Sequence, residues 1–214
     1  MYPLNCPFCR EFCTGTLEER ADVSFDSRVL LETPNFLVVP DISPLAPGHV
    51  MIVPKSHITA FGSLDEQLMN EALSLSHIVK RTLKRYYGPS VVLEHGTNSS
   101  NVGGGCVSHA HLHFFPRAID LASSLRPYRA RQISDFRELS RWALEDKAYV
   151  YFESHVGEKY VADNLAGIPR QFIRIEIARS IGLRDPLWNW REHILLENLE
   201  ATFHLLSTAD WSAA

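Results

Sequence analysis

Histidines at alternate positions of an apolar run, in the stretch CVSHAHLHFFPR (residues 106–117), constrain this chain more than any other feature of its sequence. An extended strand sends successive side chains to opposite faces. His109, His111 and His113 are therefore expected to share one face, with Ala110, Leu112 and Phe114 on the other. Imidazoles spaced roughly 6.5–7 Å apart along a strand face are a poor solution for core packing. They point to chemistry, and two kinds compete: metal ligation by neighbouring imidazoles, or one histidine acting as a nucleophile supported by the others.

The flanking patterns say what kind of sheet holds this strand. RVLLE and FLVVPD read as strands paired about the turn TPN, and HVMIVP as a third strand entered through SPLAPG. Leu64, Leu68, Leu75, Ile78, Val79 and Leu83 mark one face of a long helix over residues 63–86, stopped by Gly88-Pro89. SVVLEHG is a further strand, and TNSSNVGGG is a polar, glycine-rich loop feeding the histidines. These alternations predict an α+β fold over residues 1–117, a mostly antiparallel sheet with a long covering helix. Residues 118–214 read as a largely helical extension. SDFRELSRWAL, PRQFIRIEIARSIGL and WNWREHILLENLEATFHLL are its helices, KAYVYFES is its strand, Pro169 belongs to a first turn and Gly182 is a stop.

The 214 residues are 45% hydrophobic and 21% charged, with a formal net charge of −4. That suffices for a good core, and its acidic balance argues against dedicated nucleic-acid binding while leaving small phosphorylated ligands open. No apolar run reaches membrane-spanning length, and the opening MYPLNCPFCREF lacks the apolar core of a signal peptide, so a cytoplasmic protein without a membrane partner is expected. Cys6, Cys9, Cys13 and Cys106 then read as thiols or metal ligands rather than a disulfide framework.

The run SHAHLHFF resembles the signature of the histidine-triad (HIT) family, in which His-x-His-x-His precedes two apolar residues. Upstream, DISPLAPGHVMIVPKSH (residues 41–57) is similar to the family segment that ends in Pro-Lys-x-His. The resemblance covers roughly residues 4–117, and both segments occur in the family's order. It implies a nucleotidyl hydrolase or transferase, commonly dimeric, acting on a diadenosine polyphosphate, a nucleoside phosphoramidate or a nucleotide sugar.

By this resemblance His111 is the nucleophile toward the α-phosphorus, and His113 lies beside the phosphate and leaving group. A neutral imidazole is a competent nucleophile near pH 7. Asp41 falls where the family binds the ribose hydroxyls, while Phe36 and Ile42 are candidates to sandwich a purine. Gly103, Gly104 and Gly105 let the backbone approach a phosphate, and Asn98 and Asn101 offer amides to it. The sequence departs from the usual pattern at Gly105, where Gln is common, at Cys106, where Ser or Thr is common, and at Glu94, where Asn is common.

The motif CPFC (residues 6–9) alone is ambiguous between zinc and redox chemistry. Within the resemblance, Cys6, Cys9, His57 and His109 form a closed Cys2His2 set, implying a structural zinc. Cys13 and Cys106 are left as buried thiols. His49, His77, His155, His193 and His204 are expected to be surface or helix histidines, and Trp188 and Trp190 to be core or interface residues. Two rival functions stay open: an open-site metallohydrolase with the triad as ligands, and a zinc-stabilised nucleotide-binding module without turnover.

Overall fold

The computed structural model describes residues 6–15, 17, 21–97 and 107–212. A helix α1 (Pro7–Thr14) is followed by strands β1 (Leu31–Glu32), β2 (Phe36–Pro40) and β3 (Val50–Pro54), then by the long helix α2 (Glu66–Tyr86). Strands β4 (Val91–Gly96) and β5 (Leu112–Phe115) come next. Beyond them lie α3 (Ala122–Leu125), β6 (Arg131–Ile133), α4 (Ser140–Leu144), β7 (Tyr149–Glu153), β8 (Lys159–Ala162), α5 (Phe172–Ser180) and α6 (Leu196–Leu206).

Helix α2 begins where the sequence can cap it: the Asp65 carboxylate accepts the Leu68 N–H at 2.8 Å. Glu66 lies in its first turn and Lys84 and Arg85 in its last, matching the helix dipole. Met69, Ala72, Leu75, Val79 and Leu83 form its buried stripe. Phe36, Val38, Val50, Ile52, Val92 and Phe114 meet that stripe from one face of the sheet.

All pairings in the sheet are antiparallel, in the order β1-β2-β3-β5-β4-β7-β8-β6. The expected α+β class is observed, with one correction to the extension. It contributes three strands rather than one, and β7 pairs directly with β4, so the sheet runs unbroken past residue 117. The short β6 and β8 lack the apolar alternation that identifies a strand; β8 is ordered by pairing with β7, and β6 by pairing with β8. The helix expected from Pro169 begins only at Phe172, after Gln171 in a left-handed conformation, and the last helix begins at Leu196.

The sheet's second face is covered in two patches. Helix α1 packs Cys6, Phe8 and Cys9 on Leu37, Val39, Met51 and Val53. Helix α5 packs Phe172, Ile173 and Ile177 against Leu93, Phe115, Val150 and Phe152. His113 in β5 stands opposite Met51 of β3 and Leu93 of β4, on this face and between the two patches. The covering helices thus leave their gap over the histidine strand.

On the α2 side, Glu94 is fully buried and accepts the Phe61 N–H at 2.6 Å and the Tyr149 O–H at 2.7 Å. Burial raises its carboxyl to about 7 despite those two donors. From its ordinary value of 4.5 up to about 7 the folded protein keeps a proton that the unfolded chain has lost, so this group's contribution to stability falls as pH rises through that window. Glu94→Gln is expected to remove that fall. Relative to wild type, the variant's urea midpoint should gain between pH 5 and pH 8, and parallel curves for the two proteins would refute the assignment.

Candidate functional site

The opening turn of α1 and the approach to β5 build one half of the site. Pro7 fits the first helical position, and Cys6 caps the helix by accepting the Cys9 N–H on its sulfur at 3.5 Å. Both thiols consequently face His109. Cys6 Sγ and Cys9 Sγ lie 3.4 and 3.5 Å from His109 Nδ1, and Cys9 Sγ lies 3.3 Å from His57 Nδ1. Donor atoms of these four residues lie within 4.8 Å of one another. A tetrahedral zinc with bonds near 2.0–2.3 Å spaces its ligands roughly 3.3–3.8 Å apart, so the set fits. His109 Nε2–H donates to the Pro54 carbonyl at 2.8 Å, leaving the Nδ1 lone pair toward the thiols. Burial, then the neighbouring Cys6, push the Cys9 thiol up to about 12, so ligation near neutral pH would require the cation itself to displace the thiol proton.

The other half holds the remaining two triad histidines. The histidine run is not one continuous strand: β5 begins at Leu112, and residues 108–109 form a bend before it. All three rings nevertheless lie on the α1 side, with Phe8 5.5 Å from His109 and 5.4 Å from His111, and His111 4.8 Å from His113. His111 Nδ1–H donates to the His109 carbonyl at 2.7 Å, which leaves the Nε2 lone pair free to react. The Leu45 N–H donates to His49 Nδ1 at 3.4 Å, so His49 Nε2–H donates to His113 Nδ1 at 3.0 Å. The proton of His113 then resides on Nε2.

Electrostatics keep these rings neutral. Burial lowers His111 from its ordinary value and lowers His49 to about 4. Burial, then His111 and His49, hold His113 well below the usual imidazole range. Burial works against ionisation of Asp41, but Arg174, His49, His113 and the Ser43 N–H together outweigh it and hold its carboxyl well below the usual range. Arg174 Nη1 donates to Asp41 Oδ2 at 2.9 Å. Asp41, His49 and His113 also cluster closely enough to suggest a second cation site, but the Arg174 guanidinium already supplies the positive charge there.

A cleft opens over these rings, walled by α1 (Phe8, Arg10, Glu11), by Ile42 and Met51, and by the extension (Gln171, Phe172, Ile173, Arg174, Trp190). Among the expected site residues, His111, His113, Asp41 and Ile42 line it. In the folded chain Asp41 Oδ1 accepts the Ser43 N–H at 2.8 Å and Oδ2 accepts Arg174 Nη1–H at 2.9 Å. Phe36 is a correction. It is fully buried among the α2-side core because even positions of β2 point away from the cleft. Cys13 is exposed rather than buried. Asn98, Asn101, Gly104, Gly105 and Cys106 lie outside the described residues.

His49 is a further correction, a fully buried partner of His113 rather than a surface residue. Strand parity carried the signal: His49 and Met51 are both odd, and Met51 registers with His113. Trp190 lines the cleft, and Trp188 gives its carbonyl to Arg174. Arg174 had no local signal, since only the tertiary fold brings it to Asp41.

The HIT domain model matches residues 23–119. An uncharacterised HIT-like protein of Chlamydia trachomatis is 33% identical over 87 residues, which are 39% of this chain and 75% of that protein. One from Mycoplasma genitalium is 32% identical over 77 residues, 36% of this chain; the match spans only 54% of that relative. A solved HIT family protein from Bacillus anthracis is 25% identical and aligns over 53% of this chain and 73% of its own, with a TM-score of 0.42. The chain belongs to the HIT family. Among the described residues no helix is long and apolar enough to cross a membrane.

Purified protein is expected to carry about one zinc per chain at the four-ligand set. Cys6→Ser combined with Cys9→Ser should lower both zinc content and melting temperature, because metal binding is coupled to folding. Elemental analysis showing undiminished zinc in the double variant would exclude these ligands.

Proposed function

We propose that this chain is a nucleotidyl hydrolase or transferase that works through a covalent nucleotidyl-His111 intermediate. The observation that carries this is the hydrogen bond from His111 Nδ1–H to the His109 carbonyl at 2.7 Å, which directs the Nε2 lone pair to the reacting side. In the first step His111 Nε2 attacks the α-phosphorus, a P–N bond forms and the bond to the leaving group breaks. His113 Nε2–H, 4.8 Å away between ring centres, donates to the phosphoryl oxygen or the departing group as charge develops. Water, or a second acceptor, then attacks the same phosphorus, releases the nucleotide and restores neutral His111.

The substrate class is a nucleoside joined through its phosphate to a leaving group: a dinucleoside polyphosphate, a phosphoramidate or a nucleotide sugar. Ile42, with Phe8 and Trp190, supplies apolar walls for a base. Gly104, Gly105 and Cys106, with Asn98 and Asn101, are assigned to the phosphate side. Cys6, Cys9, His57 and His109 would hold a structural zinc, which supplies stability and orientation with no open coordination position. Among the described residues no candidate ligand set unites the three triad rings, which favours nucleophilic chemistry over an open-site metal.

The test is single-turnover reaction with a panel of such conjugates, followed by mass analysis of the peptide containing His111. A nucleotidyl mass on that peptide is expected, along with turnover that falls by roughly three orders of magnitude or more in His111→Asn. Hydrolysis near the wild-type rate in that variant would exclude the mechanism.

A further inference from the structure

Arg174 lies well outside the matched HIT region, in the first turn of α5, yet the residue is only 5% exposed and lines the cleft. All three of its nitrogens are engaged. Nε donates to the Trp188 carbonyl at 2.7 Å, Nη2 to the Ser43 carbonyl at 2.7 Å and Nη1 to Asp41 Oδ2 at 2.9 Å. Two backbone carbonyls from separate segments therefore aim the third nitrogen at Asp41.

That same Oδ2 stands 3.7 Å from His113 Nδ1 and 3.8 Å from His49 Nε2. These separations are too long for good hydrogen bonds but short for a buried charge. An uncompensated carboxylate there would favour a proton on His113 Nδ1, where His49 now donates. The ring would become imidazolium and give up its role as acceptor for His49.

We propose that Arg174 is a positioning residue of the HIT site: by neutralising Asp41 it keeps His113 uncharged, with its proton on Nε2 facing the cleft. The charged and titratable groups acting on His113 are His111 from the segment before β5, His49 from the segment before β3, Asp41 after β2 and Arg174 from α5, and His95 of the neighbouring β4 lines the same cleft. Of these only Asp41 favours protonation of His113, and Arg174 opposes it. The extension is thus a working part of the site, acting through a countercharge that touches Asp41 rather than His113.

The test uses the full chain as purified, with its histidines labelled with nitrogen-15 and the ring nitrogens followed by NMR between pH 5 and pH 8. Wild type should show His113 neutral and protonated on Nε2 across this range. Arg174→Gln, which removes the charge, should raise the His113 midpoint by at least one pH unit, with kcat down at least tenfold and KM within threefold. Arg174→Lys, which restores the charge without the planar fork, should return both the tautomer and most of kcat. A folded Arg174→Gln protein with an unchanged His113 spectrum overturns the proposal, and so do Lys and Gln variants equally impaired, since packing alone would then explain Arg174. If Arg174→Gln does not fold, Arg174→Gln with Asp41→Asn removes both buried charges together, and protonated His113 in that double variant is overturning. The kinetic arm rests on the proposed function, whereas the spectroscopic arm does not. The predicted tautomer change in a protein that turns over no nucleotide would reject the proposed function alone.

Discussion

His109 is clamped on both sides of its ring, and the geometry of the site follows from that clamp. Its Nε2–H is committed to the carbonyl of Pro54 at the end of β3, and its Nδ1 to the thiols at the start of α1. Its own carbonyl then receives the Nδ1–H of His111. One residue therefore ties the N-terminal helix to a central strand and decides which nitrogen of its neighbour carries a proton. An unclamped neutral imidazole can place its proton on either nitrogen, and half of that freedom would be unproductive for nucleophilic attack. The proposed metal ligands and the proposed nucleophile are thus two ends of a single chain of bonds.

Local pattern revealed the parts of this molecule whose shape depends on local forces. The capped, amphipathic α2 and the apolar β2, β3 and β4 are legible because burial on a sheet or under a helix leaves a period in the sequence. The strands β6 and β8 left no such trace, since Arg131 and Gln132 are exposed and Lys159 and Tyr160 are half-covered. Phe36 and His49 show how a residue's type can mislead where its parity does not. Phe36 looks like a base-stacking aromatic but points to the α2 side, whereas His49 shares the face of Met51 and reaches His113. Arg174 marks the limit of any local rule, because its partner Asp41 lies 133 residues away.

The buried charges explain why the extension and the HIT segment stay joined. A carboxylate as enclosed as Asp41, at 4% exposed, is costly without a partner. Its partner comes from α5, while α6 binds the same region from another side. Asn198 Nδ2 donates to the Pro44 carbonyl at 2.8 Å, and the Gly48 N–H donates to Thr202 Oγ1 at 2.8 Å. The loop leading to His49 is held by polar bonds from both helices. Gly48 fits there because its φ is +87° and a side chain would meet the ring of Tyr87.

The order of strands also determines what a neighbouring molecule can grip. Because β7 pairs with β4 from Val92 to Gly96, the outer edge of the six-residue strand beside the histidines is covered. The sheet ends instead at β1 and β6, which are two and three residues long. A strand seeking to add itself to either end finds only a few backbone donors and acceptors, and on β6 it also meets exposed Arg131 and Gln132. The extension therefore turns what would be an adhesive edge next to the reactive cleft into the interior of a continuous sheet.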